Sequence, residues 1–77
     1  MTIKVLGTGC AKCRKLEEHA KEAVKTLGLD ISVEKIEDVK SIMSYGVMMT
    51  PALVVDEVVK TVGKVPSVKD IVKILQP

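Results

Sequence analysis

The 77-residue chain has no tryptophan, no phenylalanine and only one aromatic residue, Tyr45. That scarcity removes the stacking platforms on which single-stranded nucleic acids are held. No apolar run approaches the ~20 residues a membrane span needs. The opening MTIKVLGTG alternates apolar with polar residues and lacks a signal-peptide core. A large charge of one sign is missing too: twelve Lys and Arg against ten Asp and Glu leave +2, spread along the chain. Neither nucleic acid nor membrane is therefore an expected partner, and a cytoplasmic protein is expected. Cysteine is scarce as well, at Cys10 and Cys13 only. Cytoplasmic thiols are kept mostly reduced, so a lone CxxC points to catalysis, redox sensing or metal binding more than to a structural staple.

What the chain has in plenty is branched aliphatic residues: thirteen Val, six Ile and six Leu within 47% apolar content. These supply the core of one domain, residues 1–77, built of strands covered by helices. Residues 2–6, TIKVL, alternate as a strand, and Gly7 and Gly9 punctuate the turn that follows. From Ala11 to Leu27 apolar residues recur at Cys13, Leu16, Ala20, Ala23, Val24 and Leu27, the stripe of a helix stopped by Gly28. Residues 30–36 read as a second strand, with Ile31, Val33 and Lys35 on one face and Ser32, Glu34 and Ile36 on the other.

Asp38 caps a short helix carrying Val39, Ile42 and Met43, which ends near Gly46. PALVVD and VVKTVG give two strands around a tight turn at Asp56-Glu57 that lacks the usual glycine. Pro66-Ser67 opens a last helix with Val68, Ile71, Val72 and Leu75 on one face. The order is β-α-β-α-β-β-α. A right-handed crossover pairs strands 1 and 2 in parallel, and strands 3 and 4 form a hairpin. The predicted fold is α/β, a mixed four-stranded sheet with helices on both faces.

Cys10 falls at the N-cap of the first helix and Cys13 in its first turn. Backbone N–H groups there have no internal acceptor and carry partial positive charge, so they stabilise a thiolate. Cys13 continues the apolar stripe and is expected to face inward, while Cys10 precedes the helix and is expected to be accessible. That asymmetry suits dithiol exchange, with Cys10 attacking and Cys13 resolving. The bland alternative is two small thiols packed without a role. A closed zinc site needs four ligands, and the chain offers two Cys and the distant His19. A soft-metal carrier is the stronger rival, because two thiolates suit Cu(I) and small copper-chaperone domains resemble this chain in size and in the CxxC loop. Those domains run β-α-β-β-α-β and end in a strand. A redox-switched binding module is a third possibility.

With strand, Cys10-Ala11-Lys12-Cys13 and helix followed by Thr50-Pro51 before the third strand and Gly63 after the fourth, the chain resembles the thioredoxin superfamily. It is most similar to the short redox-active-disulfide proteins intermediate between thioredoxin and glutaredoxin. The resemblance implies a thiol–disulfide oxidoreductase working without metal or organic cofactor, through a reversible Cys10–Cys13 disulfide. It implies a cis Pro51 beside the cysteines and a substrate-facing surface formed by Gly9, Ala11, Lys12, Thr50, Pro51 and Gly63. Implied partners are disulfide-containing proteins and an upstream reductase or glutathione, with the chain acting as a monomer. Several positions depart from the family: Gly9 replaces the tryptophan before the first cysteine, Ala-Lys separates the cysteines, and Lys4 stands where thioredoxins keep a buried acid. His19 is expected to face solvent, and Tyr45 to pack at the end of the second helix. Met48 and Met49 are expected either to rim a partner site or to enter the core.

Overall fold

Alternation in Ile3–Leu6 forms strand β1, which sends Ile3 and Val5 into one core and Leu6 into another. A computed structural model describes residues 2–9 and 11–76. The element order is β1 (Ile3–Leu6), α1 (Ala11–Thr26), β2 (Val33–Ile36), α2 (Val39–Ser44), β3 (Ala52–Val55), β4 (Val58–Val62) and α3 (Val68–Leu75). The sheet runs β2-β1-β3-β4, with β1 parallel to β2 and antiparallel to β3, and β3 antiparallel to β4. This is the mixed sheet that the sequence order predicts.

One sheet face carries Ile3, Val5, Leu53 and Val55 against the α1 residues Leu16, Ala20, Ala23 and Val24 and the α3 residues Ile71 and Leu75. The other face carries Leu6, Ala52 and Val54 against Ile42 of α2 and Val47. β3 is buried along its whole length because both faces are covered. Residues of β2 divide as expected, Val33 packing with the first core and Ile36 with the second. Of the apolar residues of α2 only Ile42 is buried; Val39 and Met43 are exposed, because a six-residue helix is too short to lay more than one side chain on the sheet.

Asp38 caps α2 by accepting from the Ser41 amide at 3.1 Å, and Ser67 caps α3 by accepting from the Asp70 amide at 3.2 Å. The β3–β4 turn places Asp56 at φ 50° and Glu57 at φ 66°, the doubly positive geometry that glycine normally fills. Side chains offset that strain. Asp56 exchanges two 2.8 Å hydrogen bonds with the Thr2 backbone, donating its own amide to Thr2 O and accepting from Thr2 N through Oδ1. Glu57 accepts from Lys4 Nζ at 2.6 Å and from the Tyr45 hydroxyl at 3.1 Å. In β4, Val54 faces Val59 while Leu53 faces Thr61, so Lys60 is an extra residue, a bulge on the sheet edge.

Candidate active site

The register fixes where the predicted site residues meet. Leu6 pairs with both Ile36 and Ala52, and Ala52 pairs with Val62. The segments after β1, after β2, before β3 and after β4 therefore leave the sheet at one end. Gly9, Ala11, Lys12, Thr50, Pro51 and Gly63 all lie there. Cys10 is outside the described residues, and its placement as helix cap and accessible thiol with it.

Gly7 ends β1, donating its amide to Ile36 O at 2.9 Å. Gly9 follows at φ 88°, a conformation that turns the chain into α1 and that a tryptophan would adopt only with strain. Ala11 and Lys12 are exposed, whereas Cys13 is 1% exposed at the head of the apolar stripe. Its burial rests on Gly7. A Cβ on that glycine would overlap the Cys13 sulfur and lie 2.9 Å from the Cys13 Cβ. Gly7, which reads in the sequence only as turn punctuation, is thus a site residue. The available signal was its position as the last residue before a loop that returns a buried thiol onto the strand end.

The Thr50–Pro51 peptide is cis, the isomer the resemblance implies. Pro51 is buried and Thr50 exposed. The Pro51 carbonyl accepts from the Gly63 amide at 2.8 Å, which joins the last two predicted residues into one unit. Gly63 has φ 68° and packs against Met49, whose Cε would be 3.2 Å from a Cβ there.

An apolar groove of about 290 Å³ opens beside this unit, floored by the buried Ile42 and Val47 and rimmed by Val39, Met43 and Met48. Thr8 and Thr50 stand at its mouth. Met48 is 97% and Met49 63% exposed, so neither enters the core; Met48 rims the groove, whereas Met49 lies against Gly63. A larger hollow of about 450 Å³ lies at the opposite end, between the β3–β4 turn and the end of α3. It touches none of the predicted site residues.

Lys4 does not sit under α1. Strand alternation sends it to the α2 face, where its Nζ donates to Tyr45 Oη at 2.9 Å and to Glu57 and lies 5.6 Å from the Tyr45 ring centre. The hydrogen bonds to Glu57 and then Tyr45 raise the Lys4 pKa above its ordinary value, and the Lys4 bond lowers that of Glu57. Tyr45 therefore ties the end of α2 to the hairpin turn. His19, expected to face solvent, is instead partly buried, and its Nδ1 is 2.9 Å from Pro66 O, joining α1 to the approach of α3.

Two comparisons bear on this geometry. The family model for the thioredoxin domain matches residues 1–76. A thioredoxin of Methanothermobacter thermautotrophicus is 47% identical over 75 residues, covering 97% of each chain. A thioredoxin of Methanocaldococcus jannaschii is 41% identical over 71 residues, covering 92% of this chain and 81% of its own. The order β-α-β-α-β-β-α, ending in a helix, also departs from that of the copper-chaperone domains. Among the described residues no helix is long and apolar enough to cross a membrane. The chain belongs to the thioredoxin family of thiol–disulfide oxidoreductases.

Proposed function

We propose that Cys10 and Cys13 are the exchanging pair, that Cys10 is the nucleophile, and that the chain reduces protein disulfides in the cytoplasm. The observation that carries this reading is the depth of Cys13, 1% exposed under the start of α1 and pressed on Gly7. A thiol so placed is sheltered from substrate yet three residues from its partner in sequence, which suits a resolving role.

The Cys10 thiolate attacks one sulfur of a substrate disulfide. The substrate S–S bond breaks, a mixed disulfide forms, and the other substrate sulfur leaves as a thiolate that takes up a proton. Cys13 then gives up its proton and attacks the Cys10 sulfur, releasing the second substrate thiol and closing Cys10–Cys13. Two electrons pass to the substrate. An upstream reductase or glutathione returns them, and no metal or organic cofactor takes part. The amides at the start of α1 stabilise the Cys10 thiolate. Gly9, Ala11 and Lys12 flank it. Thr50 meets the substrate backbone beside Pro51, and Gly63 completes that wall.

An insulin-type disulfide reduction assay tests the reading. Turnover is expected to vanish in Cys10→Ser, while Cys13→Ser traps a mixed disulfide visible by mass spectrometry. Limiting alkylation of the reduced chain is expected to label Cys10 first. Labelling of Cys13 first would overturn the division of roles.

A further inference from the structure

Charges that look evenly spread in sequence are sorted by the fold. The end of the sheet that gathers the candidate site carries Lys12, Arg14, Lys15, Lys40 and Lys64, all exposed and none in an ion pair among the described residues. Lys12 lies inside the CxxC. Arg14 and Lys15 complete the first turn of α1, Lys40 follows the groove residue Val39, and Lys64 follows Gly63. Four acids lie nearest them, Glu17, Glu18, Glu37 and Asp38; Glu37 holds Lys35 at 3.3 Å and Asp38 caps α2. Along α1, Glu17 is drawn to Lys21 and Lys35, and Glu18 lies a turn further on. With Lys35 included, six cations and four acids leave this end at +2. The rest of the chain then holds six cations and six acids within a total of +2.

We infer that this basic collar, set around the methionine-rimmed groove, selects protein disulfides whose cysteine has an apolar neighbour and acidic flanks. The inference rests on the exchange activity proposed above and names the substrate class of the same site. The groove supplies contact for one apolar side chain: Met43 and Met48 are flexible thioethers that adapt to its shape. The collar draws an acidic segment toward the start of α1, raising the encounter rate by long-range attraction that salt screens. A nucleic acid would find the same charges but no aromatic ring at this end for its bases, since Tyr45 is held by Lys4 and Glu57.

Two peptide disulfides test this, each with leucine beside the cysteine and then either three glutamates or three lysines. At low salt the acidic peptide is expected to be reduced with about tenfold higher kcat/KM, and the gap to close to about twofold at half-molar salt. Lys40→Glu/Lys64→Glu, two changes on exposed side chains, is expected to shrink the low-salt gap at least threefold. Equal rates at low salt, or a gap indifferent to salt, would overturn the collar while leaving disulfide exchange intact. Versions of the peptides with serine for cysteine separate the two claims. If NMR shifts of Lys12 and Met48 report preferential binding of the acidic one without any turnover of its disulfide counterpart, the collar holds and the exchange reading falls. Tighter binding of an oligonucleotide than of the acidic peptide at matched charge would overturn the peptide assignment.

Discussion

Replacing Gly7 with alanine isolates the contact that buries the resolving thiol. Gly7 lies outside the left-handed region, so its backbone accepts an alanine. On unfolded-chain entropy alone the change would stabilise by about 0.4–1 kcal/mol. Packing opposes this. The new methyl would overlap the Cys13 sulfur and sit 2.9 Å from its Cβ, an atom fixed to the helix backbone. α1 cannot tilt away cheaply, because Leu16 and Ala20, on its next two turns, are fully buried. Overpacking of this kind costs about 2–3 kcal/mol, toward the upper part of its usual range, so the net loss is about 1–2.5 kcal/mol. For a chain this short, with total stability on the order of 4–12 kcal/mol, that lowers the melting temperature by roughly 5–15 °C. Thermal and urea unfolding of the reduced chain measure it. In a Cys13→Ala background the sulfur overlap is gone and only the Cβ contact remains, so the cost of Gly7→Ala is expected to fall by about 1 kcal/mol. A neutral or stabilising Gly7→Ala, or a cost unchanged in that background, would refute the packing argument.

Two further perturbations read other parts of the structure. Thr61 Oγ1 is buried without a hydrogen-bond partner among the described residues, on the strand position facing Leu53. Thr61→Val keeps the shape and removes the unpaired hydroxyl, so urea unfolding is expected to show a gain of about 1 kcal/mol. The Lys4–Glu57 pair predicts a pH profile. The Glu57 pKa is lower folded than unfolded, so its contribution is complete above the ordinary value of 4.5 and is lost as pH falls through the folded value. The Lys4 pKa is raised, so its contribution is complete below the ordinary value of 10.5 and is lost as pH rises through the folded one. The Glu57 side chain is 60% exposed, which keeps the effect small and salt-sensitive. The urea midpoints of wild type and Glu57→Gln are expected to differ at pH 7 and to converge in acid; a constant difference would exclude the pair as its cause.

Local pattern was enough for most of the fold. The stripe from Cys13 to Leu27 is a period that only a helix satisfies, and the observed α1 buries Cys13, Leu16, Ala20, Ala23 and Val24. The Asp38 and Ser67 caps, and the two faces of residues 33–36, were legible for the same reason: each is decided within four residues, whereas the strand expected from residue 30 begins only at Val33. What escaped the sequence depends on contacts between distant segments. His19 is helical, as predicted, but its ring is claimed by Pro66, 47 residues away. Val39 and Met43 sit at helical spacing beside Ile42, yet the helix is too short to bury them, and they line the groove instead. The turn at Asp56-Glu57 looked ill-suited to its geometry because its compensating partners, Thr2, Lys4 and Tyr45, are remote in sequence.

The same distinction explains why the collar was invisible along the chain. Charge balance in a linear window says nothing about which windows the sheet order brings together. Parallel pairing of β1 with β2 sends Ile36, and with it Val39 and Lys40, to the end where α1 begins. Antiparallel pairing with β3 returns Thr50 and Pro51 to that end, and the hairpin delivers Gly63 and Lys64. Had β2 paired antiparallel, Lys40 and the start of α2 would lie at the far end, beside the β3–β4 turn, and the groove would lose its floor. Geometry of the site is therefore a consequence of one parallel and two antiparallel pairings, which link residues as far apart as Ile3 and Val55. A change that weakens the sheet without touching the cysteine loop should then loosen Pro51, Gly63 and the groove together, because the 2.8 Å Gly63–Pro51 hydrogen bond is the last rung of the β3–β4 ladder.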